Sequence, residues 1–131
     1  MAEIPESLRY TEEHEYLRET DVDGEYYIGV TDYAQGELGD VVFVELPHIG
    51  DTFDRMEPFG NIEAVKAVSE LFCPLAGEIV DVNGSLEADW SIVNTDPYGD
   101  GWMIRLRLDN PGQLDDLLSA ADYRKHSEEA E

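Results

Sequence analysis

A single cysteine, Cys73, stands in a chain of 131 residues. That excludes any disulfide within the chain and the thiolate pairs or quartets of a structural zinc site, and the residue reads as a small buried hydrophobe. Histidine is nearly as scarce. His14, His48 and His126 lie far apart, without ligand spacing and outside any H-E-x-x-H pattern, so no metal site is expected. No G-x-G-x-x-G or phosphate-loop motif occurs, and the glycines of GEYYIG at 24–29 lack the strand-turn-helix spacing that nucleotide binding needs. No nucleophile and base stand at an informative spacing, so no catalytic residue is assigned. No apolar run approaches the roughly 18 residues of a membrane-spanning helix. Met1 to Arg9 has neither the basic start and apolar stretch of a secretory signal nor the arginine-rich character of a transit segment. A cytoplasmic site is therefore the default expectation.

Positive charge is also in short supply. Eight lysines and arginines face 31 aspartates and glutamates, a formal net charge of -23. Nucleic-acid binding by phosphate neutralisation needs a basic surface, and an anionic membrane would repel this one, so neither partner class is expected. The acids run from Glu3 to Glu131 rather than gathering in one tail, which describes an acidic surface on a folded body. Only two lysines, Lys66 and Lys125, are present. In this respect the composition resembles that of proteins from salt-loving microorganisms.

What is there suits one domain. The hydrophobic share is 42%, and a chain of this length buries roughly two thirds of the surface of its unfolded form. Tyr26 to Val30 and Val41 to Leu46 are rich in aromatic and β-branched residues and read as strands. Between them TDYAQGELG reads as a short helix, capped by Thr31 and stopped by Gly39. A turn is centred on 47–51. Ala76 to Val82 is strand-like, with Asn83-Gly84 after it as a tight hairpin turn. A loop at 96–101 precedes the clearest strand, in which Trp102, Ile104, Leu106 and Leu108 share one face and Met103, Arg105 and Arg107 the other. Asn110 and Pro111 then open an amphipathic helix carrying Leu114, Leu117, Leu118 and Ala121, Ser119 starts a second one whose Tyr123 packs back on the body, and 127–131 is expected to fray. The stretch 61–72, NIEAVKAVSELF, supports two readings. Ile62, Val65 and Val68 recur at helical spacing, yet two short strands meeting near Val65 and Lys66 fit as well. Lys66 is equally open. A lysine can snorkel at the edge of an apolar run with no function, or, at a protruding turn, offer its amine for amide attachment of a cofactor on a long stem.

Four stretches carry a resemblance that covers nearly the whole chain: LRYTEEHEY at 8–16, IGVTDYAQGELGDVVFVELPHIGD at 28–51, IEAVKAVSELFCPLAGEIVDVN at 62–83 and VNTDPYGDGWMIRLRL at 93–108. In these the sequence closely resembles the glycine cleavage system H protein family. The resemblance implies a mainly β fold, a lipoyl-domain-like barrel-sandwich hybrid of two small antiparallel sheets with a short internal helix and C-terminal helices. It implies one lipoyl-carrier domain over 1–131, with 111–126 a helical C-terminal extension. It places 61–72 as a hairpin, with lipoic acid on Lys66 as a lipoyl-lysine at its turn. The implied role is that of a carrier without catalysis of its own. The aminomethyl group would pass from glycine decarboxylase (P protein) to the tetrahydrofolate-dependent aminomethyltransferase (T protein), and the dithiol would then be reoxidised by dihydrolipoamide dehydrogenase (L protein). A lipoylating enzyme is the fourth implied partner. Glu15 and Glu70 fall on the two acidic positions that line the arm's cleft in relatives, where a carboxylate can meet the protonated amine of the loaded arm.

The departures from the family pattern are Ala64 where serine is usual, Tyr16 where tryptophan is common, and Cys73 in place of a small hydroxyl residue. An exposed thiolate at Cys73 could exchange with the arm's disulfide; a buried one could not. Lipoylated or biotinylated domains of other systems commonly present an Asp-Lys-Ala or Met-Lys-Met tip, whereas this one reads Val65-Lys66-Ala67. An unmodified interaction or regulatory protein of the same fold is the alternative from another class.

An acidic surface of this density repels itself, and salt relieves the repulsion by screening. Stability measured by thermal or denaturant unfolding should therefore rise from low to molar salt. A flat or falling curve would contradict the reading of these acids as an adaptation to salt.

Overall fold

The computed structural model describes residues 3–130. Among the described residues nine strands form two antiparallel sheets. Strands β1 (Arg9–Tyr10), β2 (Glu15–Glu19), β3 (Glu25–Val30), β5 (Thr52–Phe53), β8 (Gly77–Val82) and β9 (Ile104–Leu108) make one sheet in the order β1-β2-β3-β9-β8-β5. Strands β4 (Val41–Glu45), β6 (Pro58–Ala64) and β7 (Val68–Phe72) make the other, in the order β4-β6-β7. Both sheets are open at their edges, so the expected two-sheet body is present and no closed barrel forms. None of the helices among the described residues is long and apolar enough to cross a membrane.

The core lies where the apolar faces of the two sheets converge. Leu17, Ile28, Ile79, Ile104 and Leu106 from the larger sheet cluster with Val44, Ile62 and Leu71 from the smaller, all nearly or fully buried. The alternation expected around Arg105 and Arg107 holds, with Ile104, Leu106 and Leu108 inward. Met103, assigned to the opposite face, is fully buried because it sits before the strand begins. Cys73 is buried too. Its thiol donates to the Leu75 carbonyl at 3.2 Å, and burial pushes its pKa up to about 12, which removes it from disulfide exchange.

Helix α1 (Asp32–Leu38) begins and ends as the sequence predicts, with the Thr31 hydroxyl accepting from the Ala34 N–H and Gly39 closing it at φ 82°. The helical reading of 61–72 fails. β6 and β7 pair there from Pro58↔Phe72 to Glu63↔Val68, because Ile62 and Leu71 are buried only if the segment is extended. Asn83-Gly84 is not a hairpin turn either. The Asn83 side chain donates to the carbonyls of Asp100 and Trp102 and accepts from the Ser85 N–H, so it braces a long connection that runs through α2 (Ser85–Ala88) and α3 (Ile92–Thr95) before β9.

The C-terminal region departs in detail. Asn110 caps as expected, but Pro111–Asp116 is a 3₁₀ helix, and Leu118 leaves it to exchange two backbone hydrogen bonds with Tyr10. Helix α4 (Ala120–Ala130) follows, with the Ser119 hydroxyl accepting from the Asp122 N–H. It runs through the stretch expected to fray, where Ser127 is buried; Glu131, like Met1 at the other end, lies outside the described residues. Tyr123 packs back on the body as predicted, joining Leu8, Tyr10, Tyr16 and Ala120 in a second cluster.

Two glycines separate steric from conformational need. A Cβ on Gly60 would lie 2.1 Å from the Glu45 carbonyl oxygen, whereas one on Gly36, exposed within α1, would meet nothing within 4 Å. Gly60→Ala should cost roughly 1–3 kcal/mol of unfolding free energy, and Gly36→Ala should add about 0.5–1 kcal/mol. Urea unfolding of both variants checks the pair.

Candidate functional site

The hairpin of β6 and β7 projects Lys66 from its tip. Closure comes from one backbone bond, the Ala64 N–H to the Ala67 carbonyl at 2.8 Å, and the tip is tethered sideways by the Val65 N–H donating to the Asp40 carbonyl at 3.0 Å. Lys66 is exposed, as are its apolar neighbours Val65 and Val68. Its methylenes cross Gly39, where a Cβ would stand 2.7 Å from Cε; a side chain at that position would also have to accept the left-handed φ. Among the described residues Lys66 makes no ion pair, although Glu63 and Glu70 lie close by in the chain and Asp40 is bonded to the neighbouring Val65.

β7 leads from the lysine toward a cleft of about 290 Å³. Its floor is apolar, made by Val30, Ala34, Leu38, Ile62 and Leu71, and its polar groups are Glu13, Glu15, Glu37 and Glu70 with His14, Tyr33 and Ser69. The two carboxyls singled out by sequence are thus in one place. Glu70 is exposed and pairs across the hairpin with Asn61. It lies four residues beyond Lys66, about 13 Å along an extended strand. Glu15 is 1% exposed. Its Oε1 accepts from the Thr11 hydroxyl at 2.7 Å, Oε2 lies 3.4 Å from the Phe72 N–H, and its own N–H donates back to the Thr11 hydroxyl oxygen.

Burial decides the charge state of Glu15. The two donors favour the carboxylate, but desolvation outweighs them and raises the pKa to about 8. No lysine or arginine lines the cleft. A neutral carboxyl in an apolar, otherwise acidic cleft is ready for a cation. The entering positive charge would favour the ionised form, and the pair would gain a charge-assisted hydrogen bond. The cleft therefore suits a ligand with an apolar chain and a protonated amine.

His14, Tyr33, Glu13 and Glu37 escaped sequence reasoning as cleft residues. Only the short helix carried a signal, since α1 places Tyr33 and Glu37 at i and i+4 on one face. Two histidines dismissed as remote in sequence come together, His14 stacking on His126 with ring centroids 5.5 Å apart.

A family model described as "Glycine cleavage H-protein" matches residues 8–130. The chain is similar to the glycine cleavage system H protein of Chlorobium limicola, 51% identical over 93% of this chain and 95% of that one. To the H protein of Rubrobacter xylanophilus it is 52% identical over the full length of both. Among solved structures, a glycine cleavage system H protein from Mycobacterium marinum superposes with a TM-score of 0.85 at 36% identity, covering 95% of this chain and 99% of that one.

The raised pKa of Glu15 has a sign that can be checked. The folded form holds this proton more tightly than the unfolded one, so Glu15's contribution to stability is fully present below the ordinary carboxylate range. It is lost as the pH rises toward and through about 8. In urea unfolding, the stability of the unaltered chain relative to Glu15→Gln should fall steadily between about pH 5 and 8. A difference that does not vary with pH would show Glu15 ionised throughout.

Proposed function

The chain belongs to the glycine cleavage H-protein family, and from that premise we propose that Lys66 is the residue that bears its lipoyl group. The protein is a lipoyl carrier of the glycine cleavage system and not an enzyme in its own right. Its cofactor is lipoic acid in amide linkage. Its partners are the P, T and L proteins and the lipoylating enzyme. When attached, the lipoyl group supplies a dithiolane at the end of a long flexible stem, and the cargo rides there.

The observation that carries the assignment of Lys66 is its place at the tip of a hairpin that is rigid in backbone and free in side chain. The Ala64–Ala67 bond and the tether to Asp40 fix where the amine starts, while the absence of an ion pair among the described residues leaves the amine itself unengaged. Acylation removes a positive charge from an acidic molecule. The cleft fits the group by chemistry. Val30, Leu38, Ile62 and Leu71 would cover an apolar stem, and Glu15 with Glu70 would receive a protonated amine at its end. Water is thereby kept from the load.

The finer readings belong to the same proposal. Residues 1–131 are one carrier domain, 111–126 its helical C-terminal extension, the compartment is the cytoplasm, and the acidic surface is an adaptation to salt.

The intact mass of protein from its native host should exceed that of the bare chain by one lipoyl group, and peptide mapping should put the excess on Lys66. Lys66→Arg should abolish it while leaving unfolding unchanged. An unmodified Lys66 in cells that lipoylate other proteins would overturn the assignment.

A further inference from the structure

The hydroxyl of Tyr123 joins the two walls of the cleft. One wall begins at His14 and Glu15, entering β2; the other is α1, which contributes Tyr33, Ala34, Glu37 and Leu38 and is capped by Thr31. Tyr123 reaches between them from α4, fully buried, with its ring stacked on Tyr10 at 4.6 Å. Its Oη lies 2.7 Å from Nδ1 of His14 and 2.7 Å from Oγ1 of Thr31. The walls are also joined by the Thr31 N–H donating to the His14 carbonyl, by the pairing of Glu15 with Val30 and by the His14–Tyr33 ring contact at 4.8 Å. His14 holds a left-handed backbone, φ 71°, which a residue with a Cβ keeps only when its surroundings impose it.

Donor bookkeeping gives this bridge a direction. The Thr31 oxygen already accepts from the Ala34 N–H, and the only acceptor within reach of the Thr31 hydroxyl proton among the described residues is Tyr123 Oη. Thr31 is fully buried, so its proton needs that acceptor. The Tyr123 proton is then left for Nδ1 of His14, which must be unprotonated there. The chain runs Ala34 N–H to Thr31, Thr31 to Tyr123, Tyr123 to His14. We propose that Tyr123 is the positioning residue that holds the cleft closed, so that the C-terminal helix governs how long the cleft keeps the arm. This rests on the reading of the cleft as the arm's shelter.

Protonating His14 would break the chain, because Nδ1 would become a donor and the buried Tyr123 hydroxyl proton would lose its acceptor. The groups facing the imidazole are Tyr123 and His126 from α4 and Tyr33 and Glu37 from α1, with Glu13, Glu15 and Glu70 in the same cleft. Burial and then His126 hold its pKa below the ordinary histidine value, against the pull of Glu37. The bridge should therefore survive at neutral pH and loosen in acid.

Tyr123→Phe removes the hydroxyl and keeps the stacked ring, while Thr31→Ser keeps the hydroxyl chain. In the unmodified full chain, nitrogen NMR should show His14 Nδ1 as an unprotonated acceptor. Amide exchange at His14, Thr31 and Ala34 should be roughly tenfold faster in Tyr123→Phe, the worth of one hydrogen bond. Exchange at Ile79 and Leu106 should not change, and Thr31→Ser should behave as the unaltered chain. In the lipoylated chain carrying an aminomethyl group, the load should be lost to water roughly tenfold faster in Tyr123→Phe as well. Unchanged exchange at the cleft, or an equal rise at Ile79 and Leu106, overturns the proposal. If the unaltered chain fails to protect its load at all, the shelter reading falls instead, and the exchange measurement still decides whether Tyr123 ties the walls.

Discussion

Strand β6 pairs with β4 on one side and β7 on the other, and its register places everything the carrier needs. Ile62 lies opposite Val44 and Ser69, and Asn61 opposite Glu45 and Glu70. With side chains alternating at period two, a slip of one residue would turn Ile62 and Leu71 out of the core and move Glu70 off its place beside the cleft. It would also shift the turn away from Val65-Lys66. The register is protected from both ends. At one end Gly60 allows the β4 backbone to come within contact of β6, and at the other the Ala64–Ala67 and Val65–Asp40 bonds close the tip. The position of the Lys66 amine is therefore a consequence of core packing.

Electrostatics enters the same region by a different route. A molecule with so many carboxylates has little difficulty attracting cations, so selectivity for a ligand has to come from desolvation. Glu15 supplies it. The three rim carboxyls, Glu13, Glu37 and Glu70, have water to solvate them and attract any cation weakly. Glu15 has exchanged water for the Thr11 hydroxyl and an apolar floor, so an amine that reaches it meets a far stronger partner, at the expense of releasing the carboxyl proton. In the proposed role the rim would raise the local concentration of cations, and the buried group would discriminate among them by whether they bring an apolar stem.

What was legible in the sequence follows from which forces are local. The Thr31 cap, the Gly39 stop, the alternation at 104–108 and the Asn110 cap are satisfied by neighbours within a few residues, and each stands where the pattern puts it. The stretch 61–72 carries a three-residue apolar recurrence that suits a helix, and only pairing with 41–45 makes it a hairpin. That information lies outside the segment, and the family resemblance supplied it. Asn83-Gly84 misleads for a related reason, since a dipeptide suited to a tight turn was recruited to brace a long connection through carbonyls at 100 and 102. Glu15 and Glu70 were reachable by motif, but the burial of the one and the exposure of the other are tertiary facts. His14 and Tyr123 stand at opposite ends of the chain, and nothing local in either segment announces that they touch.

The distribution of the few cations adds a last argument. Arg9, Arg55, Arg105 and Arg107 are each held against carboxylates, at Asp115, Asp116, the Asp21 and Glu25 pair, and Glu78. Arg18 instead lies over the ring of Tyr27. In so acidic a surface an arginine finds a partner almost wherever it is placed, and such pairs contribute little individually. Arg124 and Lys125 on α4 also make no ion pair among the described residues, so what distinguishes Lys66 is its position. The hairpin carries its amine past the strands while Gly39 leaves room for the stem to cross. An ion pair there would hold the amine in place, and the attachment proposed for it needs the amine free. The geometry that keeps Lys66 out of the charge network thus keeps its amine free for the attachment proposed above.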